Sequence, residues 1–441
     1  MKASSPKNSP KAYAMIDCNN FYASCERVFD PTLIKRAIAI LSNNDGCVIA
    51  RSQEAKDIGI PMGAPEFKYR VFFKENNVVL KSSNYALYGD MSNRVMDILE
   101  QITDGVEVYS IDEAFVTIST NIFEDLNEYG HFIKDTIQKW TGLPVSVGIA
   151  PSKTLAKVAN GIAKKDTVCK GVLNFCDNPD IEKYLSDLPV QKVWGIGNGM
   201  TIRLNRYNIN TALDLKKTIE NRKWVKKHLH VTGLRTVLEL NGMPCMQLND
   251  AKESRKGIMT SRMFGKPIYD IDNLHEAIST FVSRAAEKLR AQYSVASILN
   301  ISLTGDKYSN LKGKYKYGKG CVLKVPTAHT PTLIHLAKEL VNQVYEEHTK
   351  YKKASVWLTG IVPNSEVQMD LFDPHLYTQE QHKLMECVDE INSKFGRNKA
   401  SFASTGLQRE KEHQNKWLMK QDYLSNRYTT RWNELMVAKT N

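Results

Sequence analysis

The sequence predicts a multidomain α/β protein of the α+β type, and three observations carry that reading. Up to Leu173 strand-like and helix-like segments are interleaved. From Leu185 to Leu240 the chain reads as short helices, broken at Pro189, Gly195, Gly197 and Gly233. From Ile258 to Ile361 the order is strand, helix, strand, strand, helix, strand, the pattern of a split βαβ unit. A length of 441 residues suits about three domains of roughly 150 residues each.

Taken in order, Ala12–Asp17 (AYAMID) reads as a buried strand that ends in an acid. Ala37–Leu41 and Cys47–Ala50 read as a strand pair, with Asn43-Asn44-Asp45-Gly46 as the turn between them. A short helix from Ser52 or Gln53 to Ile58 is stopped by Gly59 and Pro61. Tyr88, Met91, Val95 and Leu99 recur at helical spacing, so residues 84–101 form an amphipathic helix. Val106–Ser119 is rich in strand formers, Phe123–Trp140 is helical, and Val145–Ile149 (VSVGI) is again a strand. Ser152 caps a helix that buries Leu155, Val158, Ala159 and Ile162. Met243–Lys256 is a polar, pattern-poor linker, and beyond Val362 the chain is polar with no clear core of its own.

Composition narrows the partners. With 42% hydrophobic and 24% charged residues the chain has a globular balance, which excludes wholesale disorder. Lys and Arg number 60 against 48 Asp and Glu, a net charge of +12. That excess suits a polyanion such as nucleic acid, and equally a basic soluble enzyme. No apolar run reaches the ~18 residues of a membrane span. Met1–Lys11 lacks the apolar core of a signal peptide. The eight cysteines form no C-x-x-C and the ten histidines no H-x-x-x-H, so we expect a cytoplasmic protein with reduced thiols and no structural zinc.

The chemical signal is three acids on or beside strands: Asp17, Asp112 and Glu113. Successive strand side chains point to opposite faces, so Asp112 and Glu113 cooperate only if the chain turns there. Val106–Tyr109 and Ala114–Ile118 offer the two arms of such a hairpin. Converging carboxylates repel one another, and hard divalent cations hold them together. Two such ions can activate an attacking oxygen and stabilise a leaving one in phosphoryl transfer. Taken alone, an Asp-Glu pair is more often a surface charge or turn former.

These acids do not stand alone. DCNNFYASCE, SNNDGCVIARSQEAK, YSIDEAF and VGIAPSKTLAKVAN occur in this order, and from about Tyr13 to its end the chain resembles the Y-family, or translesion, DNA polymerases. LSNNDGCVIAR, SSNYALYGDMSNRVM, VWGIG and RYTTR are similar to the branch that works with the UmuD′ dimer and RecA rather than to the DinB (polymerase IV) branch. The resemblance implies a ferredoxin-like palm (12–20 and 86–172), small fingers (21–85) and a helix-hairpin-helix thumb (173–242). It further implies a linker (243–257), a βαββαβ little finger (258–362) and a C-terminal tail (363–441). The implied function is error-prone, template-directed DNA synthesis past lesions in the SOS response. Rivals are a DinB-type polymerase independent of UmuD′, a nucleotidyl cyclase sharing the palm, and a non-catalytic DNA-binding relative.

Residue roles follow from the resemblance. Asp17, Asp112 and Glu113 would be catalytic and would hold two Mg²⁺, with the Cys18 carbonyl as a further ligand. Tyr22 would be the steric gate against a ribose 2′-hydroxyl, with Phe21 beneath the sugar. Lys56 and Lys164 match triphosphate-binding residues; Gln53 stands where many family members carry a triphosphate-contacting Tyr, and Arg51 would substitute for that contact. Gly195 and Gly197 would let main-chain N–H groups approach a DNA phosphate. Lys312, Lys314 and Lys316 would neutralise phosphates, with Tyr315 and Tyr317 against the sugars. Gln368, Leu371 and Phe372 resemble the peptide that binds the β sliding clamp. Residues 379–431 resemble the extension that engages the UmuD′ dimer and RecA.

Overall fold

The computed structural model describes residues 11–119, 125–246, 254–306, 315–367, 379–396, 398–406 and 419–436. They form two compact units: Met1–Ser42, Gly46–Lys252 and Tyr423–Asn441 make the first, and Glu253–Asp422 with Asn43–Asp45 the second.

The first unit starts with β1 (Lys11–Cys18), buried from Ala12 onward, and α1 (Phe21–Phe29). Asn20 precedes α1 with φ 50°, a left-handed turn that asparagine tolerates. A small sheet follows: β2 (Ile38–Leu41), β3 (Val48–Arg51), then, after α2 (Gln53–Asp57) and α3 (Glu66–Glu75), β4 (Val79–Ser82). β2 is central, antiparallel to β3 and parallel to β4. The hairpin and the Ser52-capped α2 match the sequence reading; α3 and β4 are additions to it.

Next come α4 (Tyr85–Ile102), β5 (Gly105–Val108), β6 (Glu113–Ser119), α5 (Leu126–Thr141), β7 (Val145–Ala150), α6 (Lys153–Ala163) and β8 (Val172–Asn174). The five-stranded sheet has the order β5-β6-β1-β7-β8. Without β8 this is the ferredoxin-like arrangement, antiparallel throughout, with the first strand of the chain in the middle. Alternation splits its side chains between two cores. Ala14, Ile16, Val116 and Val147 face one core with α4 and α5. Tyr13, Met15 and Phe115 face the other with α6 and the helices beyond.

Gly148 explains how close α6 comes to the sheet. A Cβ there would lie 2.1 Å from the Asn160 nitrogen and 2.3 Å from the Ala156 carbonyl oxygen. Asn160 ties the contact by donating to the Met15 and Ser146 carbonyls at 3.0 and 2.8 Å.

Four helices follow: α7 (Ile181–Asp187), α8 (Asn198–Asn205), α9 (Ala212–Lys217) and α10 (Arg222–Leu240). One expected break is corrected. Gly233 lies inside α10; the kink is at His230 (φ 60°, ψ −169°), while Gly233 gives room to Leu229.

The second unit contains β9 (Ile258–Ile268), α11 (Ile271–Arg290), β10 (Ser294–Gly305), β11 (Lys316–Thr327), α12 (Thr330–Val344) and β12 (Tyr351–Pro363). All six expected elements are present. The sheet order is β11-β10-β12-β9, so each helix crosses over one intervening strand. One face packs on α11 and α12; the other exposes Met259, Val322 and Trp357. Beyond Val362 the chain does add a helix, α13 (Gln379–Phe395), which the polar composition hid. Its Met385 is buried and its Asp389 is gripped by Arg290 through two hydrogen bonds of 2.6 and 2.8 Å.

Candidate active site

The acids gather at one end of the central strand pair. Asp17 ends the β1 pairing directly opposite Glu113, the first residue of β6. Asp112 closes the turn before it, where the Cys18 N–H donates to the Asp112 carbonyl at 2.9 Å. The turn required for cooperation is therefore present: the Tyr109 and Ser110 N–H groups both donate to the Glu113 carbonyl at 3.0 Å.

Each acid is held by a different neighbour. Lys164, beyond the end of α6, pairs with Asp17. Lys157 Nζ lies 2.9 Å from Glu113 Oε2, and Ser110 Oγ donates to Asp112 Oδ1 at 2.5 Å. Burial pushes the Asp17 carboxyl up to about 7; Lys164 pulls it back and Glu113 pushes it further. Burial also drives the Cys18 thiol well above its usual range, so only its main chain offers a donor.

Among the described residues, no three His, Cys, Asp or Glu side chains stand close enough together to hold a metal ion as placed. The donor chemistry nonetheless fits a hard divalent cation. Three carboxylates and the Cys18 carbonyl sit on adjoining positions, and a buried acid such as Asp17 gains from added positive charge.

Tyr22, half-buried on α1, stacks face to face on Tyr88 at 4.3 Å between ring centres and 15° between planes. Tyr85 meets it edge-on at 6.2 Å and Phe21 tilts against it at 5.7 Å. Burial, with Tyr85 and Asp112 nearby, pushes its hydroxyl up to about 12, so it stays protonated. Phe21 itself is buried in the core. Lys56 is exposed and donates to Asn20 Oδ1 at 2.5 Å. Partial burial lowers its pKa, as do Arg51 and Lys164, while Asp17 raises it, so the three cations share one neighbourhood. Arg51 turns its guanidinium to the Ile60 carbonyl, and Gln53 donates to Asp57 at 2.7 Å.

Gly195 takes φ +87°, and Gly197 is the residue before α8. Trp194 links that turn to the acid turn: its indole donates to the Tyr109 hydroxyl at 3.0 Å, and Lys157 Nζ lies 4.3 Å from the Tyr109 ring centre. In the second unit Lys316 is exposed on β11. Tyr317 does not meet the expectation of a sugar contact: it is buried in the core against Tyr351. Lys312, Lys314, Gln368, Leu371 and Phe372 lie outside the described residues.

Sequence reasoning missed Lys157, Asn160 and Ser110. Lys157 precedes Lys164 by two helical turns, so both face the same way; that spacing was the available signal. Asn160 and Ser110 had none, because their partners are main-chain or turn groups.

Comparison with known proteins joins this geometry to a family. Residues 16–161 match the impB/mucB/samB family and residues 255–371 match that family's C-terminal domain. Residues 382–438 match a domain of unknown function, DUF4113. The protein UmuC of Salmonella typhimurium strain LT2 is 39% identical over 430 residues, spanning 97% of this chain and 100% of that one. ImpB of Salmonella typhimurium is also 39% identical, over 97% of this chain and 99% of its own. Among solved structures, a chimera of the Y-family DNA polymerases Dbh and Dpo4 matches with a TM-score of 0.62. At 22% identity, over 80% of this chain and 100% of that one, it supports the fold.

Proposed function

The chain belongs to the impB/mucB/samB family, the UmuC branch of the Y-family DNA polymerases, and on that premise we propose that Asp17, Asp112 and Glu113 carry its chemistry. It is an error-prone, template-directed DNA polymerase of translesion synthesis in the SOS response. The observation that carries the site reading is the rung Asp17–Glu113, with Asp112 on the turn beside it. A nucleotidyl cyclase would need neither the second unit's basic sheet nor the tail.

The reaction transfers a deoxynucleoside monophosphate to a primer 3′-hydroxyl and releases pyrophosphate. Asp17, Asp112, Glu113 and the Cys18 carbonyl would together hold two Mg²⁺. Bound Mg²⁺ would make the 3′-hydroxyl more acidic and neutralise charge on the leaving pyrophosphate. Lys164 and Lys157 neutralise the acids before substrate arrives. With the triphosphate present, Lys164 and Lys56 turn to its oxygens, which suits mobile ammonium groups. Arg51 stands behind them, anchored on Ile60. Tyr22 keeps its ring where a ribose 2′-hydroxyl would project, and Phe21 closes the floor.

Primer-template DNA is gripped by Gly195 and Gly197 of the helical region and by Lys312, Lys314 and Lys316 of the second unit. Gln368, Leu371 and Phe372 engage the β sliding clamp. The segment beyond residue 379 meets the UmuD′ dimer and the RecA filament; the relatives named UmuC and ImpB, aligned over nearly their whole length, support that reading. Among the described residues no helix is long and apolar enough to cross a membrane, which suits a cytoplasmic enzyme.

Asp112→Asn keeps the shape of the turn and removes one charge. Primer extension should fall by about a thousandfold or more, the upper range for a lost charge stabiliser, while primer-template binding persists. Near-normal extension in Mg²⁺ would sink the assignment.

A further inference from the structure

The chain returns to the first unit after residue 422, and it returns to the neighbourhood of Tyr22. Tyr423 exchanges two hydrogen bonds with Ser82 at the end of β4. Its carbonyl accepts the Ser82 N–H and its N–H donates to Ser82 Oγ, both at 3.0 Å. Asn84, which caps α4, donates its amide to the Ser425 carbonyl, the Ser425 hydroxyl and the Asn426 carbonyl at 3.2, 3.0 and 3.1 Å. Tyr428 stacks on Phe29 of α1, 5.0 Å between centres and 6° from parallel.

The decisive contact is at Glu26, fully buried on α1. Ser425 Oγ donates to Glu26 Oε1 at 2.9 Å across 399 residues of chain. The same oxygen accepts the Tyr88 hydroxyl at 2.7 Å. Tyr88 is the buried ring on which Tyr22 lies flat. A continuous chain of contacts thus runs from Ser425 through Glu26 and Tyr88 to Tyr22. We infer that residues 423–428 are a positioning element for sugar selection, with Ser425 and Glu26 fixing the Tyr88 platform that holds Tyr22 in place. This rests on the reading of Tyr22 as the steric gate.

The physics favours a shared dependence. A buried carboxylate is costly unless its oxygens are hydrogen-bonded, and each donor it loses raises the demand on those that remain. Without the Ser425 hydroxyl, Tyr88 is left to serve Glu26 Oε1 alone, and its ring shifts to do so. A face-to-face stack transmits that shift to Tyr22 directly. A gate that rejects one oxygen atom works by position, so slack in the ring appears as lost discrimination. A merely structural tail would lower activity on both sugars alike.

The test is the ratio of kcat/KM for a deoxynucleotide to that for its ribonucleotide, using the full chain in the same assembly in every arm. Ser425→Ala is expected to lower the ratio by about threefold to tenfold, tenfold corresponding to about 1.4 kcal/mol. Ser425→Thr, which keeps the hydroxyl, should hold it near the wild-type value. Tyr22→Ala should collapse the ratio, and adding Ser425→Ala to it should have no further effect. If Tyr22→Ala collapses the ratio and Ser425→Ala leaves it untouched, the tail does not position the gate. A Ser425→Ala effect that persists in full without the Tyr22 ring overturns the proposal too. If Tyr22→Ala changes nothing, the gate reading falls and the proposal with it. Should Ser425→Ala fail to fold, Tyr428→Ala loosens the same segment from Phe29 and is read by the same ratio.

Discussion

The sheet that holds the acids and the sheet of the second unit use the same order of elements: strand, helix, strand, strand, helix, strand. They differ in pairing and in cover. In the first, β1 and β6 are central, and the end of one meets the start of the other at Asp17 and Glu113. In the second, β10 and β12 are central, and a neutral rung of Gly320, Asn300, Trp357 and Met259 crosses the sheet. The first sheet is covered on both faces, so every residue of β7 is buried. The second keeps one face open, with Trp357, Val322 and Lys316 exposed. Two covered faces fix charged groups at the sheet's rim to the accuracy that catalysis needs. One open face leaves a broad surface for a long, repetitive partner such as a phosphate backbone.

The comparison can be broken at the cover itself. Gly148→Ala puts a methyl group into the α6 backbone, so α6 must lift from the sheet. We expect a stability loss of about 3 kcal/mol or more, the severe end of overpacking, read as a lower urea midpoint. A midpoint equal to that of the wild type would mean that α6 does not seal this face. Next in size, Lys164→Ala should lower kcat/KM for the incoming nucleotide by roughly ten- to a hundredfold, the worth of one charge-assisted hydrogen bond. Its affinity for primer-template, measured by anisotropy, should stay close to that of the wild type.

The open face is sharpened by salt. Lys316→Ala should reduce the slope of log K against log salt for DNA binding by ~0.9, the value for one phosphate left without its lysine. An unchanged slope would remove this strand from the DNA path. The smallest effect is a pH dependence in the first unit. Burial raises the Glu26 pKa above 4.5; Tyr88, Ser425 and Lys81 pull it back, and Asp30 adds to the rise. The folded state therefore holds this proton more tightly than the unfolded chain. Its contribution to stability falls as pH rises from the ordinary glutamate range through the raised value. Glu26→Gln should flatten that fall, visible in urea midpoints taken from about pH 4 to about pH 8. A parallel curve for the variant would exonerate Glu26.

Much of this comparison was legible in the sequence, for reasons visible in particular elements. β1, β7 and the six elements of the second unit announce themselves by apolar runs or alternation with clear breaks. The acid turn was legible because Asp112-Glu113 separates two strand-like arms. α3 was hidden because apolar residues stand on both of its sides: Phe67 and Val71 are exposed while Tyr69, Phe72 and Phe73 pack inward. β4 has only four residues, too few to set a period. α13 was masked by polarity, although buried Met385 and the Asp389–Arg290 ion pair help to dock it. The Ser425–Glu26 link joins residues 399 apart, and no local pattern encodes such a contact.

On the proposed reading the rung Asp17–Glu113 carries the chemistry while the open sheet supplies grip. Single-turnover insertion by Asp17→Asn at saturating primer-template tests it most directly. We expect a bound complex of near wild-type affinity that forms almost no product. Insertion at close to the wild-type rate would contradict it.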